Sequence, residues 1–404
     1  MTKYIEKSKA EGRIDAPTSK SVAHRLLILG AMCEGEKSVI RGITPSDDVL
    51  ATIDCLSALG VKIEYDGWAA VVDGIDFSRA SATDPLLCRE SGSTLRFLIP
   101  MCLISGNEAT LVGSEKLISR PQGVYEKIAE ENGFLFKREC DRITLRGRLL
   151  PGEYSVVGDV SSQFITGLIL ALSTLKGESK ILFTTKIESR SYIELTRSAL
   201  MKFGGEVRWD GDSALIINGG KKLCGVDMTV EGDWSGTSFI EALGLVGGEV
   251  KVDGLDEGSL QGDRVYREHF RELDKGFCEI DISDCPDLGP ILFTVAALKH
   301  GGRFVGTRRL KIKESDRCEA MKEELEKFGA EILIEENALT VLGADLHAPN
   351  TRLKGHNDHR IVMSLAVLCS VYGGEIEGCE AVKKSYPAFF RDINRLGIKA
   401  YDID

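Results

Sequence analysis

A lysine, hydroxyl side chains and an arginine lie together in the segment Ala16–Arg25, which reads APTSKSVAHR. A Pro-Thr-Ser sequence is typical of a helix start, so Lys20 and Ser21 fall in the first turn and Arg25 lies one turn later. A helix start has unpaired N–H groups and a partial positive charge, so it attracts anions. The segment predicts either an oxyanion site or a capped surface helix whose basic residues are solvated.

Polar clusters of the same kind precede five further apolar segments, each about fourteen residues before a glycine. The six clusters are Thr18–Ser21, Ser91–Thr94, Ser161–Gln163, Ser235–Ser238, Pro286–Asp287 and Asn357–Arg360. Ser, Thr, Asp and Asn satisfy the free N–H groups of a helix start, so capping alone explains most of these residue types. Capping does not explain why the same positions also hold Lys20, Gln163, Asp287 and Arg360.

If the helices that follow these clusters pack side by side, their positive ends share one face of each domain. Each end stabilises a nearby anion by roughly 0.3–1 kcal/mol at an exposed site, and by more where water is excluded. Two such faces opposed across a hinge form a cleft that attracts anions. The pattern therefore predicts a cleft enzyme that acts on an anionic, phosphorylated substrate.

The segments between the clusters carry further basic residues next to predicted helix starts. Arg120 precedes Pro121, where we expect an outer helix to begin, and Ser189 lies in the hydroxyl-rich segment Glu188–Tyr192. Lys311 and Lys313 are expected to alternate with Ile312 along a strand, before a helix start at Lys313–Arg317. Lys383–Pro387 adds two more lysines before the last outer helix. These segments favour recognition of phosphate or carboxylate groups, although a run of charges is also typical of a solvated surface.

Six repeats position these residues. An apolar helix, a glycine and a strand recur with glycines at 35, 106, 177, 248, 301 and 374, spaced 71, 71, 71, 53 and 73 residues apart. A more polar helix, a second glycine and a strand follow each time, usually with a hairpin such as Val61–Tyr65 with Ala69–Val72. Regular spacing indicates one supersecondary unit used six times. The shorter fourth step predicts that a hairpin of roughly twenty residues is missing after Gly276.

The first helix of each repeat is apolar nearly all round and should be buried, whereas the second is amphipathic. Strands outside buried helices predict an inside-out α/β fold. At 404 residues the chain is too long for one core, so the six repeats are expected to form two domains of three.

Composition excludes several classes of partner. The chain has a net charge of −11, which argues against a nucleic-acid or anionic-membrane binder. Apolar runs such as Phe97–Ile104 are too short to span a bilayer, and the polar start shows no secretory signal. The eleven cysteines form no C-x-x-C pair, which favours buried thiols in a reducing cytoplasm over disulfides or zinc ligands.

The chain is similar to one family over its whole length. The similarity rests on nine motifs, which occur in the order PTSKSVAHR, SGSTLRFL, SRPQG, DVSSQF, ESRSYIELT, DCPDLGP, KIKESDR, NDHRIVM and KKSYPAFF. The sequence resembles the 5-enolpyruvylshikimate-3-phosphate (EPSP) synthases, the 3-phosphoshikimate 1-carboxyvinyltransferases of the shikimate pathway. The resemblance implies a two-domain inside-out α/β barrel, each domain having three βαββαβ-type units with buried parallel helices. It implies a lobe of 1–17 with 231–404, a second lobe of 18–230, and hinge crossings near 14–19 and 230–233.

The reaction that the resemblance implies is transfer of the enolpyruvyl group of phosphoenolpyruvate to the 5-hydroxyl of shikimate 3-phosphate, with release of phosphate. Protonation at C3 of phosphoenolpyruvate gives a tetrahedral ketal, which then loses phosphate and a C3 proton. The resemblance implies no metal, no cofactor, a cytoplasmic monomer, and closure of the two lobes on substrate.

The resemblance also implies the site residues. Shikimate 3-phosphate would contact Lys20, Ser21, Arg25, Ser161, Ser162, Gln163, Ser189, Asp287 and Lys313. Phosphoenolpyruvate would contact Lys20, Gly92, Arg120, Gln163, Arg317, Arg360 and Lys384. Asp287 would be the general base at the substrate hydroxyl and Glu314 the acid and base at C3, with Lys20 as a further catalytic residue. The structural alternatives are a helix cap for Asp287 and a helix-start carboxylate for Glu314.

Two rival functions stay open beside this one. The UDP-N-acetylglucosamine enolpyruvyl transferases share the fold and the donor, but they carry a cysteine just before an Arg-Pro pair, and Gly113–Arg120 contains none. A non-catalytic anion-binding scaffold would need neither Asp287 nor Glu314. One departure from the resemblance is Glu90, which stands where relatives carry asparagine, so it points away from the site, pairs with a base such as Arg89, or changes phosphoenolpyruvate affinity.

Overall fold

Helices and strands alternate along residues 1–403, the part of the chain that the computed structural model describes. The α-helices are α1 (Lys20–Ala31), α2 (Asp47–Ala58), α3 (Gly92–Cys102), α4 (Glu115–Ser119), α5 (Gly123–Asn132), α6 (Ser162–Thr174), α7 (Arg190–Lys202), α8 (Trp234–Leu245), α9 (Tyr266–Lys275), α10 (Gly289–Leu298), α11 (Arg317–Glu326), α12 (His359–Tyr372) and α13 (Phe389–Arg395). The strands are β1 (Thr2–Ile5), β2 (Glu11–Asp15), β3 (Lys37–Arg41), β4 (Lys62–Tyr65), β5 (Ala69–Asp73), β6 (Leu86–Arg89), β7 (Ala109–Gly113), β8 (Leu135–Arg138), β9 (Arg142–Arg146), β10 (Glu153–Val156), β11 (Gly177–Phe183), β12 (Val207–Asp210), β13 (Ala214–Gly219), β14 (Asp227–Thr229), β15 (Glu249–Asp253), β16 (Glu279–Asp281), β17 (Gly302–Val305), β18 (Glu331–Ile334), β19 (Ala338–Leu342), β20 (Leu353–Lys354), β21 (Gly374–Glu377) and β22 (Ala400–Asp402).

The chain divides into two units. The continuous unit is Lys20–Glu231, and the discontinuous unit is Met1–Ser19 with Gly232–Asp404. The backbone segments at the two changes of unit are hydrogen-bonded to each other, because Asp233 N donates to Pro17 O (2.7 Å) and Thr18 forms an antiparallel bridge with Gly232. The changes of unit lie between Ser19 and Lys20 and between Glu231 and Gly232, and the hinge crossings near 14–19 and 230–233 stay a prediction.

Five of the sheets in residues 1–403 share one strand order, in which a central strand has a parallel neighbour on one side and two successive antiparallel strands on the other. These sheets are β14-β3-β5-β4, β6-β7-β9-β8 and β10-β11-β13-β12 in the continuous unit, and β16-β17-β19-β18 and β20-β21-β1-β22 in the discontinuous unit. The fourth repeat has only the parallel pair β15-β2. Only three residues separate its outer helix α9 from β16, the first strand of the next sheet, so the chain has no hairpin there. The missing hairpin is therefore confirmed.

The six apolar helices form the cores. Every residue of α12 from His359 to Ser370 is buried, and α1 and α6 are buried over most of their length. The outer helices bury one face only, and strands such as β3 alternate buried with exposed residues, so the sheets cover the buried helices with one face towards solvent. The inside-out α/β fold is confirmed.

Two local predictions are wrong. The outer helix does not begin at Pro121, because α4 is capped by Ser114 and α5 begins at Gly123, after Gln122. Arg308–Ile312 is a 3₁₀ helix rather than a strand. Lys313 precedes α11 rather than beginning it, since the Asp316 carboxylate accepts from Cys318 N and Glu319 N and so fixes the helix start at Arg317.

Eight of the eleven cysteines are buried, as expected for small apolar side chains. Burial raises the pKa of the Cys102 and Cys369 thiols, so these groups stay protonated. Within residues 1–403, none of the helices combines the length and apolar character needed to cross a bilayer.

Candidate active site

Side-chain caps begin the buried helices α3, α6, α8 and α12. Ser91 caps α3, Ser161 caps α6 and Asp358 caps α12, all within the predicted clusters. The cap of α8 is Asp233, so the cluster Ser235–Ser238 lies inside the first turn rather than before it. Asp233 occupies the N-cap position because its carboxylate accepts hydrogen bonds from two backbone N–H groups, those of Ser235 and Gly236.

Asp287 is not a helix cap. It lies in the 3₁₀ turn Pro286–Leu288 that leads into α10, and no side chain of residues 1–403 caps that helix. Its carboxylate instead accepts hydrogen bonds from Lys313 Nζ (3.0 Å), Arg317 Nη1 (2.9 Å) and Arg360 Nη2 (3.0 Å). The capping interpretation of Asp287 is therefore wrong, and three cations surround one carboxylate.

These cations set the charge of Asp287. Burial alone would raise the pKa of its carboxyl, but the cations, Arg360 first, outweigh burial and hold that pKa well below its usual value. In the other direction, burial lowers the pKa of Lys313 to about 8, although the Asp287 charge opposes the shift. Asp287 is consequently ionised at neutral pH, while Lys313 is poised to lose its charge slightly above it.

The starts of the three buried helices of the discontinuous unit meet at Arg360, in the first turn of α12. Arg360 Nη1 donates to Ser235 Oγ at the start of α8 (2.7 Å) and to Asp287 O before α10 (3.0 Å). The predicted convergence of positive helix ends is confirmed for this unit, and it coincides with the Asp287 cluster.

Arg317 links three carboxylates in this cluster. Besides Asp287, its guanidinium donates to Glu314 Oε2 (2.7 Å) and Asp358 Oδ2 (2.8 Å), and its side chain is only 1% exposed. Burial lowers the pKa of Arg317, but the carboxylates, Asp358 first, outweigh burial and raise it above its usual value. Lys384 joins the cluster by donating to Asn357 O (2.5 Å), next to Asp358.

In the continuous unit, Lys20 begins α1 and its Nζ donates to Asp48 Oδ2 (2.8 Å). Asp48 lies in the first turn of α2, and its carbonyl accepts from Thr94 Oγ1 in α3 (3.3 Å). The backbone N–H of Thr94 in turn donates to Oγ of the cap residue Ser91 (3.2 Å). A chain of hydrogen bonds thus connects the lysine at the start of α1 with the Ser-Gly-Ser start of α3.

Gly92, Arg120 and Gln163 also come together in this unit. A Cβ on Gly92 would lie 2.8 Å from Arg120 Nη1 and 3.4 Å from Gln163 Oε1. Gln163 joins the starts of α6 and α3, because its Nε2 donates to Ser93 Oγ (3.1 Å) while its Oε1 accepts from Arg96 Nη1 (2.8 Å). The absence of a side chain at 92 is what lets the Arg120 guanidinium approach the backbone.

Arg25 connects the remaining predicted residues of this unit. Its guanidinium donates to Ser21 O (2.7 Å), Thr196 Oγ1 (2.9 Å) and Tyr192 O (3.1 Å), and burial lowers its pKa to about 10. It also donates to Thr166 Oγ1 in α6 (3.2 Å), in the turn after Ser161 and Ser162. Ser189 occupies the N-cap position of α7 with φ of 57°. Arg25 therefore holds together the helix starts that carry these serines.

Left-handed backbone occurs next to these helix starts. The non-glycine residues of 1–403 with positive φ are Arg89, Ser189, His356 and Asn357. Arg89, His356 and Asn357 precede helices that carry predicted site residues, and Ser189 is a predicted site residue itself. Such conformations are retained at functional sites where the surroundings hold them in place.

Sequence reasoning missed several residues of these clusters. Asp48 shows no signal, since an acidic residue in a first helical turn is ordinary. Arg96 could have been found, because a lone arginine inside the apolar run of α3 requires buried partners, and its Nη2 donates to Pro121 O (2.9 Å). Asp358 was recognised only as part of a capping cluster.

Known proteins resemble the chain in sequence and in fold. A family model described as EPSP synthase (3-phosphoshikimate 1-carboxyvinyltransferase) matches residues 5–393. A 3-phosphoshikimate 1-carboxyvinyltransferase of Clostridium kluyveri is 40% identical over 97% of this chain and 96% of that protein, and one of Clostridium novyi is 38% identical over 96% of each. An EPSP synthase structure from Acinetobacter baumannii has a TM-score of 0.78 at 23% identity over 99% of this chain and all of that one. The enolpyruvyl transferase NikO of Streptomyces tendae has the same TM-score at 14% identity over 99% and 98% of the two chains.

Proposed function

The chain belongs to the EPSP synthase (3-phosphoshikimate 1-carboxyvinyltransferase) family, and from this premise we propose how its residues perform the family's reaction. The reaction transfers the enolpyruvyl group of phosphoenolpyruvate to shikimate 3-phosphate in the shikimate pathway. The observation that carries the proposal is the cluster in which Asp287 and Glu314 share Arg317.

Asp287 is the general base that takes the proton of the 5-hydroxyl. With three cations bound to it, its carboxylate is a weak base, because base strength falls with pKa. Lys313, Arg317 and Arg360 are also the residues proposed to bind the anionic groups of the substrates. When phosphate and carboxylate groups take over part of these interactions, the pKa of Asp287 rises, so its basicity increases only when the substrates are bound.

Glu314 is the acid that protonates C3 and the base that later removes a C3 proton. Its link to Arg317 Nη2 (2.7 Å) places it beside the Asp287 cluster. Protonation at C3 and attack of the 5-hydroxyl at C2 give a tetrahedral ketal, and loss of phosphate with a C3 proton restores the double bond. Lys20 and the helix starts stabilise the charge that develops on the departing phosphate, so the proposal includes no metal or cofactor.

The substrate ligands follow the two sets assigned above. Shikimate 3-phosphate is bound by Lys20, Ser21, Arg25, Ser161, Ser162, Gln163, Ser189, Asp287 and Lys313, and phosphoenolpyruvate by Lys20, Gly92, Arg120, Gln163, Arg317, Arg360 and Lys384. Guanidinium groups suit the carboxylate and phosphate of phosphoenolpyruvate because they donate two parallel hydrogen bonds. We further propose that the enzyme acts as a monomer in the cytoplasm.

Turnover in D₂O tests this addition–elimination. Protonation at C3 produces a methyl group, so removal of one of its three hydrogens leaves deuterium in the vinyl group of the product. Mass spectrometry should find deuterated product from the wild-type enzyme, and undeuterated phosphoenolpyruvate when shikimate 3-phosphate is omitted. Product without deuterium would show that no methyl intermediate forms and would remove Glu314 from its role.

Gly92→Ala is expected to raise KM for phosphoenolpyruvate about tenfold or more, with a smaller change in KM for shikimate 3-phosphate. The new methyl group would lie 2.8 Å from Arg120 Nη1 and would displace that guanidinium. Such overpacking costs about 1–3 kcal/mol. Gly123→Ala, where a Cβ meets no atom within 4 Å, is the matched control and should keep both KM values. Equal effects of the two variants would contradict the role of the close approach.

The affinity for shikimate 3-phosphate should fall above pH 8. Because the pKa of Lys313 is about 8, its positive charge is lost as the pH rises further, and KM should increase by up to about tenfold per pH unit. The pKa of Lys313 is lower in the folded protein than in the unfolded chain, so loss of its proton favours the folded state. The free energy of unfolding of the unliganded protein should therefore rise, not fall, over the same pH range. Lys313→Arg keeps its charge and should remove the slope; an unchanged slope would assign the titration to another group.

A further inference from the structure

Glu324 is a carboxylate of the discontinuous unit that the proposed chemistry does not use, and its side chain is fully buried. Oε1 accepts from His356 Nε2 (2.9 Å) and Lys327 Nζ (2.9 Å). Oε2 accepts from Lys327 Nζ (2.8 Å) and from the backbone N–H of Lys354 (3.0 Å). The Lys327 ammonium thus compensates the charge of a carboxylate that has no contact with solvent, and the four hydrogen bonds together orient it.

Glu324 lies two turns after Arg317 on α11, so both side chains leave the same face of the helix. Arg317 contacts Asp358, and Glu324 contacts Lys354 and His356. The helix therefore holds the short segment Lys354–Asp358 at two points, one at each end of that segment.

The held segment has a strained backbone. His356 and Asn357 have φ of 49° and 51°, a conformation that costs about 1–3 kcal/mol per residue outside glycine. The turn is closed by Asp358 N, which donates to Gly355 O (2.9 Å). Two residues of this turn accept hydrogen bonds from proposed phosphoenolpyruvate ligands, because Asn357 O accepts from Lys384 and the Asp358 carboxylate accepts from Arg317.

We infer that Glu324 is a positioning residue for the phosphoenolpyruvate ligands Arg317, Arg360 and Lys384, and that it acts through His356 and the backbone of Lys354. The inference rests on the proposed assignment of those ligands. Without the Glu324 carboxylate, the strained turn loses the contacts that hold its amino-terminal end. The Asn357 carbonyl then leaves Lys384, and Asp358 no longer fixes the Arg317 guanidinium and the start of α12.

A cation site is the competing interpretation of this cluster. Ligand atoms of Glu323, Glu324 and His356 lie within 4.8 Å of one another. The Lys327 ammonium, however, contacts both oxygens of Glu324 at 2.8–2.9 Å and already supplies the positive charge. The arrangement therefore favours a structural clamp over an ion site.

Steady-state kinetics of three variants test the inference. Glu324→Gln removes the charge, and we expect KM for phosphoenolpyruvate to rise about tenfold while KM for shikimate 3-phosphate stays within about twofold. His356→Gly removes the imidazole, but glycine accepts φ of 49° without strain, so Tm should be retained while KM for phosphoenolpyruvate rises as in Glu324→Gln. Glu323→Gln is the matched control, because this neighbouring carboxylate is exposed, accepts a hydrogen bond from the side chain of Lys354 (2.9 Å), and lies farther from His356 Nε2 (3.9 Å) than Glu324 does.

The outcomes separate this inference from the proposed function. A lower Tm with unchanged KM for phosphoenolpyruvate in both Glu324→Gln and His356→Gly would make the clamp merely structural and overturn the inference. A wild-type enzyme that turns over neither substrate would overturn the proposed function, and the inference with it. A rise in KM for phosphoenolpyruvate that is specific to the two clamp variants supports the positioning role.

Discussion

Asp287→Asn is expected to lower kcat by about 10²- to 10⁴-fold, the usual contribution of a general base. Phosphoenolpyruvate should bind at least as tightly as before. The three cations now neutralised by the Asp287 carboxylate would keep their positive charge, and the ligand anion would no longer compete with that carboxylate. Loss of turnover without loss of binding is the signature of a base among cationic ligands.

Rapid-quench turnover and isothermal titration with phosphoenolpyruvate measure the two parts of this prediction. Asp284→Asn, three residues earlier at an exposed position, is the matched control and should retain wild-type kcat. Near-normal kcat in Asp287→Asn would remove this residue from its proposed role. Equal losses of kcat and of affinity would assign Asp287 to substrate binding or to cluster assembly instead.

Arg317→Met should lower the free energy of unfolding by about 3–5 kcal/mol, the cost of leaving buried charges without their partner. Asp287, Glu314 and Asp358 all lose a donor in this variant, and Asp358 is fully buried. Burial raises the pKa of Asp358, but its attractive interactions, the largest of which is with Arg317, hold that pKa below its usual value. Such a group stabilises the fold above its unfolded-state pKa, so the difference between wild type and variant should shrink as the pH falls below about 4.

Urea denaturation of the unliganded protein at several pH values measures this effect. Arg352→Met is the matched control, because Arg352 forms an exposed ion pair with Glu375 (3.0 Å), and such pairs contribute only about 0–1 kcal/mol. Similar losses in the two variants, or a difference that does not depend on pH, would show that Arg317 is not the electrostatic centre of the cluster.

The repeat could be predicted from sequence because each unit repeats its apolar pattern and its glycines at fixed spacing. Gly35, Gly106 and Gly177 mark the ends of buried helices, and the shortened step before Gly301 marks the absent hairpin beside β15. The polar clusters also predicted which ends of the buried helices carry extra functional side chains, since their lysine, glutamine and arginine residues exceed what capping requires.

The hydrogen-bond partners inside the clusters could not be predicted. Lys20 bonds Asp48 and Glu324 bonds His356 across 28 and 32 residues, and neither periodicity nor helix-start composition encodes such pairs. The local errors have a related cause. The cap carboxylate of Asp233 lies just outside a serine-rich cluster. The cap carboxylate of Asp316 makes α11 begin at Arg317, the last residue of the predicted start 313–317. Where several residues can cap, three-dimensional packing decides which one does.

The most direct test of whether the convergent helix starts and the Asp287–Arg317–Glu314 cluster serve the proposed reaction is phosphate release from phosphoenolpyruvate. Release is measured with shikimate 3-phosphate, with UDP-N-acetylglucosamine, and with no acceptor. We predict release with shikimate 3-phosphate alone, with one enolpyruvyl ether formed per phosphate. Release that depends on UDP-N-acetylglucosamine, or no release with either acceptor, would contradict it.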